Sequence, residues 1–183
     1  MKDEKALSLV EALLFASPDP LTVDNIAEAS GLSRERIRQV LSSLASSYES
    51  GQRGFRMMEV AGGYQLRTDV RFAEPISRLV KARSRRRFSR SSLETLSIIA
   101  YRQPVTRPEV EFIRGVDSGA VIKTLLSQTM IRVLGRKEAP GRPILYGTTR
   151  YFLEYFGLRD LESLPTLEEV TELLEEENTV EGD

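Results

Sequence analysis

The sequence predicts a mainly helical α+β fold with small β-hairpins, divided into two similar domains in tandem. Three observations predict it: the 183-residue chain repeats itself at an offset of 84 residues, each copy contains three helical segments, and each copy ends in strand patterns. The repeat aligns Ser8 with Ser92, Pro20 with Pro104, Thr22 with Thr106, Gly31 with Gly115 and Leu41 with Leu125. Because turn residues and apolar residues repeat together, we expect two copies of one structural unit.

The first helix of each copy is indicated by apolar residues at helical spacing. Leu9 and Leu13 have this spacing in the first copy, and Leu96 and Ala100 have it in the second. Residues 91–94 read Ser-Ser-Leu-Glu, the pattern in which a hydroxyl and a carboxylate satisfy the free amides of a first helical turn. We therefore expect this capping box to begin the first helix of the second copy.

The second and third helices are indicated by the residues at their ends. A threonine precedes the second helix, a glycine follows it, and a serine or an aspartate precedes the third helix. These residues are Thr22, Gly31 and Ser33 in the first copy and Thr106, Gly115 and Asp117 in the second. Thr106 also forms a capping box with Glu109. The third helices are expected over residues 34–48 and 118–130, which completes a helix-turn-helix in each copy.

Two short strands follow the third helix of each copy. Residues 55–60 and 64–68 flank a glycine turn, and residues 131–134 and 144–147 flank a loop over residues 135–143. Three helices followed by a two-stranded wing make a winged-helix domain. The sequence therefore predicts two tandem winged-helix domains.

The second wing and the residues after it are rich in glycine, proline, arginine and aromatic side chains. Glycines and prolines fix the backbone of loop 135–143, which favours a rigid wing packed on its own domain or on a partner peptide. A phosphate-binding loop is the alternative, although the chain has no Gly-x-x-x-x-Gly-Lys-Ser/Thr motif. The aromatic residues of this region either pack in the core or form a groove for a partner helix. They are Tyr146, Tyr151, Phe152, Tyr155 and Phe156.

The charge distribution divides the chain further. Residues 1–158 hold 25 basic and 17 acidic residues, whereas residues 159–183 hold 1 basic and 10 acidic residues. We expect an N-terminal winged-helix domain over 1–83 closed by a helix over 72–83, a basic linker over 84–90, and a C-terminal winged-helix domain over 91–158. The acidic tail, residues 159–183, is expected to be partly disordered, with an apolar stripe at Leu167, Val170, Leu173 and Leu174. It could screen the basic body or bind elsewhere.

The composition excludes several classes of function. The chain has no cysteine and no histidine, so it lacks the soft metal ligands, the thiol nucleophile and the side chain that titrates near neutral pH. We expect no catalytic residues, no cofactor and no metal. The apolar run from Leu7 to Ala16 contains Glu11 and is too short to span a membrane. The absence of cysteine favours a cytoplasmic location.

DNA binding remains an alternative because a helix-turn-helix presents its third helix to the major groove. The first copy offers Arg34, Arg36 and Arg38 there, whereas the second copy offers only Lys123. The basic run over 81–90 could contact phosphates, contact an acidic partner, or remain a solvated linker. A DNA-binding winged-helix transcriptional regulator is therefore the alternative to a domain pair used for protein contact.

The second copy closely resembles one bacterial protein family. The residues that carry the resemblance are 93–106, 113–118, 135–136, 146–149, 152–158 and 164–165, with looser agreement at 11–15 and 62–64. Over these residues the chain is similar to the segregation and condensation protein B family. The resemblance implies a non-enzymatic, nucleoid-associated subunit of the bacterial condensin complex, with functions in chromosome condensation, chromosome partition and cell division.

The resemblance also implies partners and contact residues. It implies a homodimer that binds the kleisin subunit, segregation and condensation protein A, and through it the structural-maintenance-of-chromosomes (SMC) ATPase, with indirect or weak DNA contact. The first domain is expected to dimerise and the second to bind the kleisin. The implied kleisin contacts are Arg102, Arg136, Arg142, Tyr146, Thr148 and Phe152. The implied dimer contacts are Leu9, Leu13, Leu14 and Phe15.

Overall fold

The computed structural model describes residues 3–50, 53–80, 88–166 and 169. Its first half contains α1 (Asp3–Ala16), α2 (Val23–Ser30), α3 (Arg34–Ser50), β1 (Phe55–Val60), β2 (Gly63–Thr68), a 3-10 turn (Val70–Phe72) and α4 (Ala73–Val80). Its second half contains α5 (Arg90–Arg102), β3 (Val105–Thr106), α6 (Arg107–Arg114), α7 (Gly119–Ser127), β4 (Ile131–Arg136), β5 (Ile144–Thr148), α8 (Arg150–Phe156) and a 3-10 turn (Leu161–Ser163). The predicted winged-helix elements are present in both halves.

The predicted ends of the second helices are confirmed. In α2, the amide of Asn25 donates to the Thr22 hydroxyl at 3.2 Å while the amide of Thr22 donates to the Asn25 side chain at 3.1 Å. Thr106 and Glu109 form the same reciprocal cap on α6. Gly31 and Gly115 end these helices with φ values of 69° and 72°. This left-handed conformation is the one that glycine adopts without steric cost.

The predicted capping box of α5 is wrong. The helix begins two residues earlier, and the hydroxyl of Ser89 accepts the hydrogen bond from the amide of Ser92 at 3.2 Å. The hydroxyl of Ser91 instead accepts a hydrogen bond from the Arg114 guanidinium at 2.9 Å. Ser89 has a serine and not a glutamate three residues later, so the capping-box pattern indicated Ser91 instead.

The duplication extends to the sheets. Strands β1 and β2 pair antiparallel from Phe55 opposite Thr68 to Val60 opposite Gly63. The second sheet has the strand order β3-β5-β4, and its two-residue strand β3 was not predicted. Val105 of β3 lies opposite Tyr146, and the first half has a single bridge at the equivalent place, between Leu21 and Tyr64.

Two separate clusters of buried apolar side chains form the cores. The first contains Ala6, Val10, Leu14, Ile26, Ile37, Val40, Leu41, Leu44 and Tyr48. The second contains Leu96, Ile99, Ala100, Val105, Val110, Ile122, Leu125, Met130, Ile131, Tyr146 and Phe152. Each core is built from one copy of the repeat, since three helices bury one apolar face each against their own wing.

Three predicted segments differ from the structure or lie partly outside it. The predicted helix over 72–83 is, in its described part, the end of a 3-10 turn (Val70–Phe72) followed by α4 (Ala73–Val80), and its residues 81–83 lie outside the described residues. Helix α8 was not predicted as an element. Residues 81–87, with most of the basic linker, and residues 167–183 apart from 169 lie outside the described residues, as does the apolar stripe of the tail.

The first wing packs against the end of the second copy. The amides at its turn, Ala61 and Gly62, donate to the carbonyls of Leu158 and Arg159 at 2.9 and 3.1 Å. Arg67 of β2 donates to the carbonyl of Glu154 at 2.7 Å. These bonds use backbone acceptors that follow or end α8, so the two copies are joined at the first wing.

Candidate partner-binding site

The second wing is built around the central strand β5. Tyr146 of β5 lies opposite Val105 on one side and Val133 on the other. The side chains of Tyr146 and Val105 belong to the core of the second copy. Because side chains alternate along a strand, the neighbouring positions 145 and 147 face away from this core.

A glycine keeps the outer side of β5 closely covered. A Cβ atom added at Gly147 would lie 2.7 Å from Oε1 of Gln103 and 2.7 Å from Cδ1 of Leu134. The same Gln103 oxygen accepts hydrogen bonds from the amide and the hydroxyl of Thr148, at 2.8 and 3.1 Å. Gln103 and Leu134 therefore lie over the β5 backbone at Gly147, and a larger residue there would require these two side chains to shift.

The wing loop is held by hydrogen bonds within itself. The amide of Lys137 donates to the carbonyl of Pro143 at 2.9 Å, and the amide of Arg142 donates to the carbonyl of Ala139 at 2.8 Å. The guanidinium of Arg136 donates to the carbonyl of Arg142 at 3.1 Å. Arg142 has a φ of 41°, a conformation that costs energy for a residue other than glycine. The two arginines are thus presented from an ordered loop.

The base of the wing is tied to α6 by an ion pair. The ammonium of Lys137 lies 2.6 Å from Oε1 of Glu109, whose other oxygen accepts from the amide and hydroxyl of Thr106. The hydrogen bond from Lys137 and those from Thr106 lower the pKa of Glu109 to about 2. Glu109 therefore stays ionised well below neutral pH and keeps the wing attached to the start of α6.

Most arginines in the described ranges contact a carboxylate, but a group at the second wing does not. Within the described residues of the second half, the cations without an ion-pair partner are Arg102, Lys123, Arg132, Arg136 and Arg142. Arg132 and Arg136 are in β4, Arg142 is in the wing loop, and Arg102 ends α5. Arg132 lies opposite Gly147 and Arg136 lies opposite Ile144, with a bulge between them, so the two arginines lie on opposite faces of β4. We call these four arginines and the half-exposed Leu134 the wing surface.

The first wing has no comparable group of arginines. Arg56 of β1 forms an ion pair with Asp69 at 2.5 Å. Arg67 of β2 donates to the side chain of Gln65 at 3.0 Å as well as to Glu154. The arginines of the first wing therefore have partners inside the chain. Arg136 of the wing surface also donates to a carbonyl, that of Arg142, but none of the four arginines there contacts a carboxylate of the described residues.

The residues implied as kleisin contacts fall into two groups. Arg102, Arg136 and Arg142 are exposed. The other three are buried, with exposed fractions of 8% for Tyr146, 7% for Thr148 and 4% for Phe152. Those three hold the sheet and α8 in place rather than offer surface. Arg132 was not among the implied contacts; it is an exposed residue of β4 that lies opposite Gly147.

The residues implied as dimer contacts do not share one surface. Leu14 is buried in the first core, Leu9 and Leu13 are half-buried, and Phe15 is 81% exposed. Leu9 and Leu13 lie on the same side of α1, whereas Phe15 is rotated from Leu9 by about 120° at 3.6 residues per turn. A contact with another molecule would thus reach Phe15 most easily and Leu14 not at all.

The third helices present little free positive charge. Arg34 pairs with Asp24, Arg36 pairs with Asp3, and Arg38 lies 3.8 Å from Glu35. In the second copy, α7 carries Lys123 as its one cation. Neither third helix offers the row of unpaired basic side chains that contact with DNA phosphates requires.

Two other features, a metal site and a membrane-spanning helix, are absent from the described ranges. No group of three or more acidic side chains there could hold a metal ion. No helix among the same residues combines the length and the apolar character needed to cross a lipid bilayer. The wing surface therefore remains the main candidate site.

The chain is similar to proteins of one family over most of its length. The profile of the family described as Segregation and condensation complex subunit ScpB matches residues 8–167. A Segregation and condensation protein B of Syntrophotalea carbinolica is 49% identical over 173 residues, which cover 94% of this chain and 87% of that protein. The protein of the same description from Myxococcus xanthus is 46% identical over 180 residues, 98% of this chain and 54% of that longer protein.

One solved structure is described as the dimer of the ScpB N-terminal domain complexed with ScpA peptide. Its sequence is 31% identical to this chain, and the match covers 42% of this chain and 96% of that one, with a TM-score of 0.40. The family match rests on the sequence comparisons. Since these extend through both copies of the repeat, the chain belongs to the segregation and condensation protein B (ScpB) family, the subunits of the segregation and condensation complex.

Proposed function

We propose that the chain is a non-catalytic adaptor of a bacterial condensin complex, a homodimer that binds the kleisin ScpA through the wing surface. Through the kleisin it contacts the SMC ATPase, and it acts in the cytoplasm at the nucleoid. Family membership supports the complex, and the resemblance over residues 91–165 supports the kleisin as the partner.

The observation that carries the proposal is the unpaired charge of the wing surface. Four exposed arginines without carboxylate partners in the described chain lie in or beside the second wing, together with the half-exposed Leu134. Like charges that lack counter-charges create a positive potential that favours an acidic partner. The guanidinium groups would bind carboxylates of the kleisin, and Leu134 would pack against an apolar residue between them.

The carboxylates of the second copy support a non-catalytic function. Glu94 lies 3.3 Å from Arg114, Glu109 lies 2.6 Å from Lys137, and Glu154 lies 3.2 Å from Arg150. Each of these three is used in an ion pair, and none of the three contacts a second carboxylate as a general acid and base would. Glu111 and Asp117 lie together, but both are bound to the guanidinium of Arg107. With no histidine and no cysteine in the chain, an adaptor accounts for these residues better than an enzyme.

Dimerisation is proposed through the first copy. Phe15 is a large aromatic side chain at the end of α1 that its own domain leaves almost fully exposed. Burial of one phenylalanine side chain contributes about 1.5–3 kcal/mol, so a second copy of the chain packed against this end of α1 would gain stability. We therefore place the dimer contact around Phe15, on a different side of α1 from Leu9 and Leu13.

The DNA-binding alternative lacks a comparable observation. Each arginine of α3 lies beside a carboxylate, which cancels much of the positive potential that would attract phosphate. Exposed ion pairs contribute only about 0–1 kcal/mol, so DNA phosphates could still replace the carboxylates beside these arginines. The test below therefore also measures the binding of a DNA duplex.

The test is a calorimetric titration of the chain with the central segment of ScpA. We expect saturable binding at one kleisin per two chains. The double variant Arg136→Gln, Arg142→Gln should bind at least tenfold more weakly, because a charge-assisted hydrogen bond contributes about 1.5–3 kcal/mol. The control is Arg90→Gln, an exposed arginine of the same domain outside the wing surface, which should bind like the original chain.

Two results would overturn the proposal. Equal kleisin affinities for the double variant and the original chain would exclude the wing surface as the binding site. No heat with the kleisin, together with tight and salt-sensitive binding of a DNA duplex, would replace the adaptor by the DNA-binding regulator.

A further inference from the structure

We propose that residues 167–183 bind the wing surface of their own chain and compete there with the kleisin. Only the competition rests on the proposed function. The docking itself is inferred from where this segment leaves the domain, from its charge, and from the arginines that lack partners among the described residues.

The segment leaves the second copy beside the wing surface. Leu164 packs against the core of that copy. The hydroxyl of Tyr101 then donates to the carbonyl of Pro165 at 2.6 Å. Tyr101 immediately precedes Arg102, so the acidic segment begins next to one of the four unpaired arginines.

The first residues of the segment carry a helix-start signal. The amide of Thr166 donates to the Glu169 carboxylate at 2.7 Å, and the amide of Glu169 donates to the Thr166 hydroxyl at 3.2 Å. This is the reciprocal cap that also begins α6. Downstream, the apolar residues occupy positions 167, 170, 173 and 174, a spacing that puts them on one side of a helix.

The charges of the two surfaces are complementary. Residues 167–183 contain eight acidic residues and no basic residue. The wing surface contains four arginines that have no carboxylate within the described ranges, and it also carries the half-exposed Leu134. An acidic segment with an apolar stripe is therefore complementary to a basic wing with an exposed apolar side chain.

The segment is long enough to cover this surface. From Thr148, beside Gln103, to Ile144 near the wing loop, β5 rises about 13 Å at 3.3 Å per residue. Seventeen residues span about 25 Å as a helix and more when extended. The acidic segment can therefore reach from Arg102 to the arginines of the wing loop without any rearrangement of the domain.

The docking is tested with a spin label on the full chain. Because the chain has no cysteine, Asn178→Cys introduces a single thiol for a nitroxide without removing a charge. We expect loss of amide NMR intensity at Arg102 and at residues 131–136 and 144–148, with residues 3–50 unchanged. Arg132→Gln with Arg136→Gln in the labelled chain should restore the intensity, whereas the control pair Arg34→Gln with Arg38→Gln should not.

Several results would overturn the docking. One is full amide intensity at the second wing. Another is a loss of intensity centred on residues 88–90, at the end of the basic linker. The third is a loss of intensity at the second wing that persists after the arginine substitutions. Each would mean that the acidic segment lies elsewhere or that charge does not hold it.

Competition is tested by adding the central segment of ScpA to the labelled chain. Bound kleisin should restore the amide intensities of the second wing. Replacing Glu172, Glu175, Glu176 and Glu177 by glutamine should raise the affinity for the kleisin several-fold.

If the kleisin binds and no docking is seen, the inference fails while the proposed function holds. If docking is seen and the kleisin binds elsewhere or not at all, the proposed function fails. Equal kleisin affinity with and without the four glutamates would exclude competition.

Discussion

Thr22 and Thr106 occupy equivalent positions in the repeat but have different surroundings. Both accept a hydrogen bond from the third residue of the helix that follows. Thr22 is partly exposed and pairs with Asn25, whereas Thr106 is buried and pairs with Glu109. Since Glu109 also binds Lys137, the cap at Thr106 is joined to the wing and the cap at Thr22 is not.

Thr106→Ala should therefore destabilise the chain more than Thr22→Ala. Loss of an N-cap hydroxyl typically costs about 1 kcal/mol, and the buried site adds the cost of an unsatisfied group. We expect the difference to appear as a lower urea midpoint for Thr106→Ala with an unchanged slope. Equal midpoints for the two variants would show that the second cap is not coupled to the wing.

At this scale the sequence predicts local contacts and misses long-range ones. The caps at Thr22 and Thr106 are predictable because both partners lie within four residues. The hydroxyl of Ser91 binds Arg114, 23 residues further along the chain, and Tyr146 pairs with Val105, 41 residues before it. Neither contact is visible in a local pattern, so one cap was misplaced and the burial of Tyr146 was not predicted.

The first hairpin depends on a close approach between backbones. A Cβ atom at Gly63 would lie 2.9 Å from the carbonyl carbon of Leu21 and 3.0 Å from that of Pro20. Tyr64, the next residue, exchanges two backbone hydrogen bonds with Leu21 at 2.8 and 2.9 Å. The segment before α2 is therefore locked to β2, and neither backbone can move away without breaking this bridge.

Gly63→Ala should destabilise the first copy by about 1–3 kcal/mol, the usual cost of forcing extra volume into a packed site. Gly54→Ala is the matched control, since its Cβ would meet only the Phe72 side chain at 4.0 Å. Thermal unfolding of both variants measures the difference. A Gly63 variant as stable as the Gly54 variant would contradict the close approach.

Element prediction succeeded where a pattern is long and failed where an element is short. Strand β1 was predicted with its observed bounds because it lies between turn signals. Strand β3 has two residues, too few for any periodicity, and exists because Val105 pairs with Tyr146 far along the chain. The seven residues of α8 are largely aromatic. Their pattern therefore indicated core packing or a partner groove, and no helix was predicted there.

The two copies use equivalent wings in different ways. The turn of the first wing is bonded to Leu158 and Arg159, whereas the second wing carries the unpaired arginines. The sequence predicts two copies and two wings. It could not predict that the turn of the first wing is hydrogen-bonded to the second copy, because the acceptors in the second copy are backbone carbonyls, which have no sequence signature.

The contact between the copies should weaken when its side-chain donors are removed. Arg67 donates to Glu154 and Arg150 donates to the carbonyl of Pro20 at 3.0 Å, and each such bond contributes about 1 kcal/mol. The pair Arg67→Met, Arg150→Met should lower hydrogen-exchange protection of the Ala61 and Gly62 amides on the order of tenfold. Arg90→Met, outside the contact, is the control.

Unchanged protection in the double variant would mean that the backbone bonds alone hold the copies together. Loss of protection throughout α1 would instead indicate unfolding of the first copy. The expected result is a loss of hydrogen-exchange protection at the turn of the first wing, with the protection of α1 unchanged.

The hydrogen-bonded amides of Ala61 and Gly62 make closure of the chain measurable from outside. An antibody fragment that must itself bind these two amides could bind only molecules in which the two copies have separated. Its apparent dissociation constant would therefore exceed the intrinsic one by the inverse of the open fraction. Comparing its affinity for the chain with its affinity for the isolated hairpin peptide would give that fraction directly, and any ligand that holds the copies together would act as its competitor.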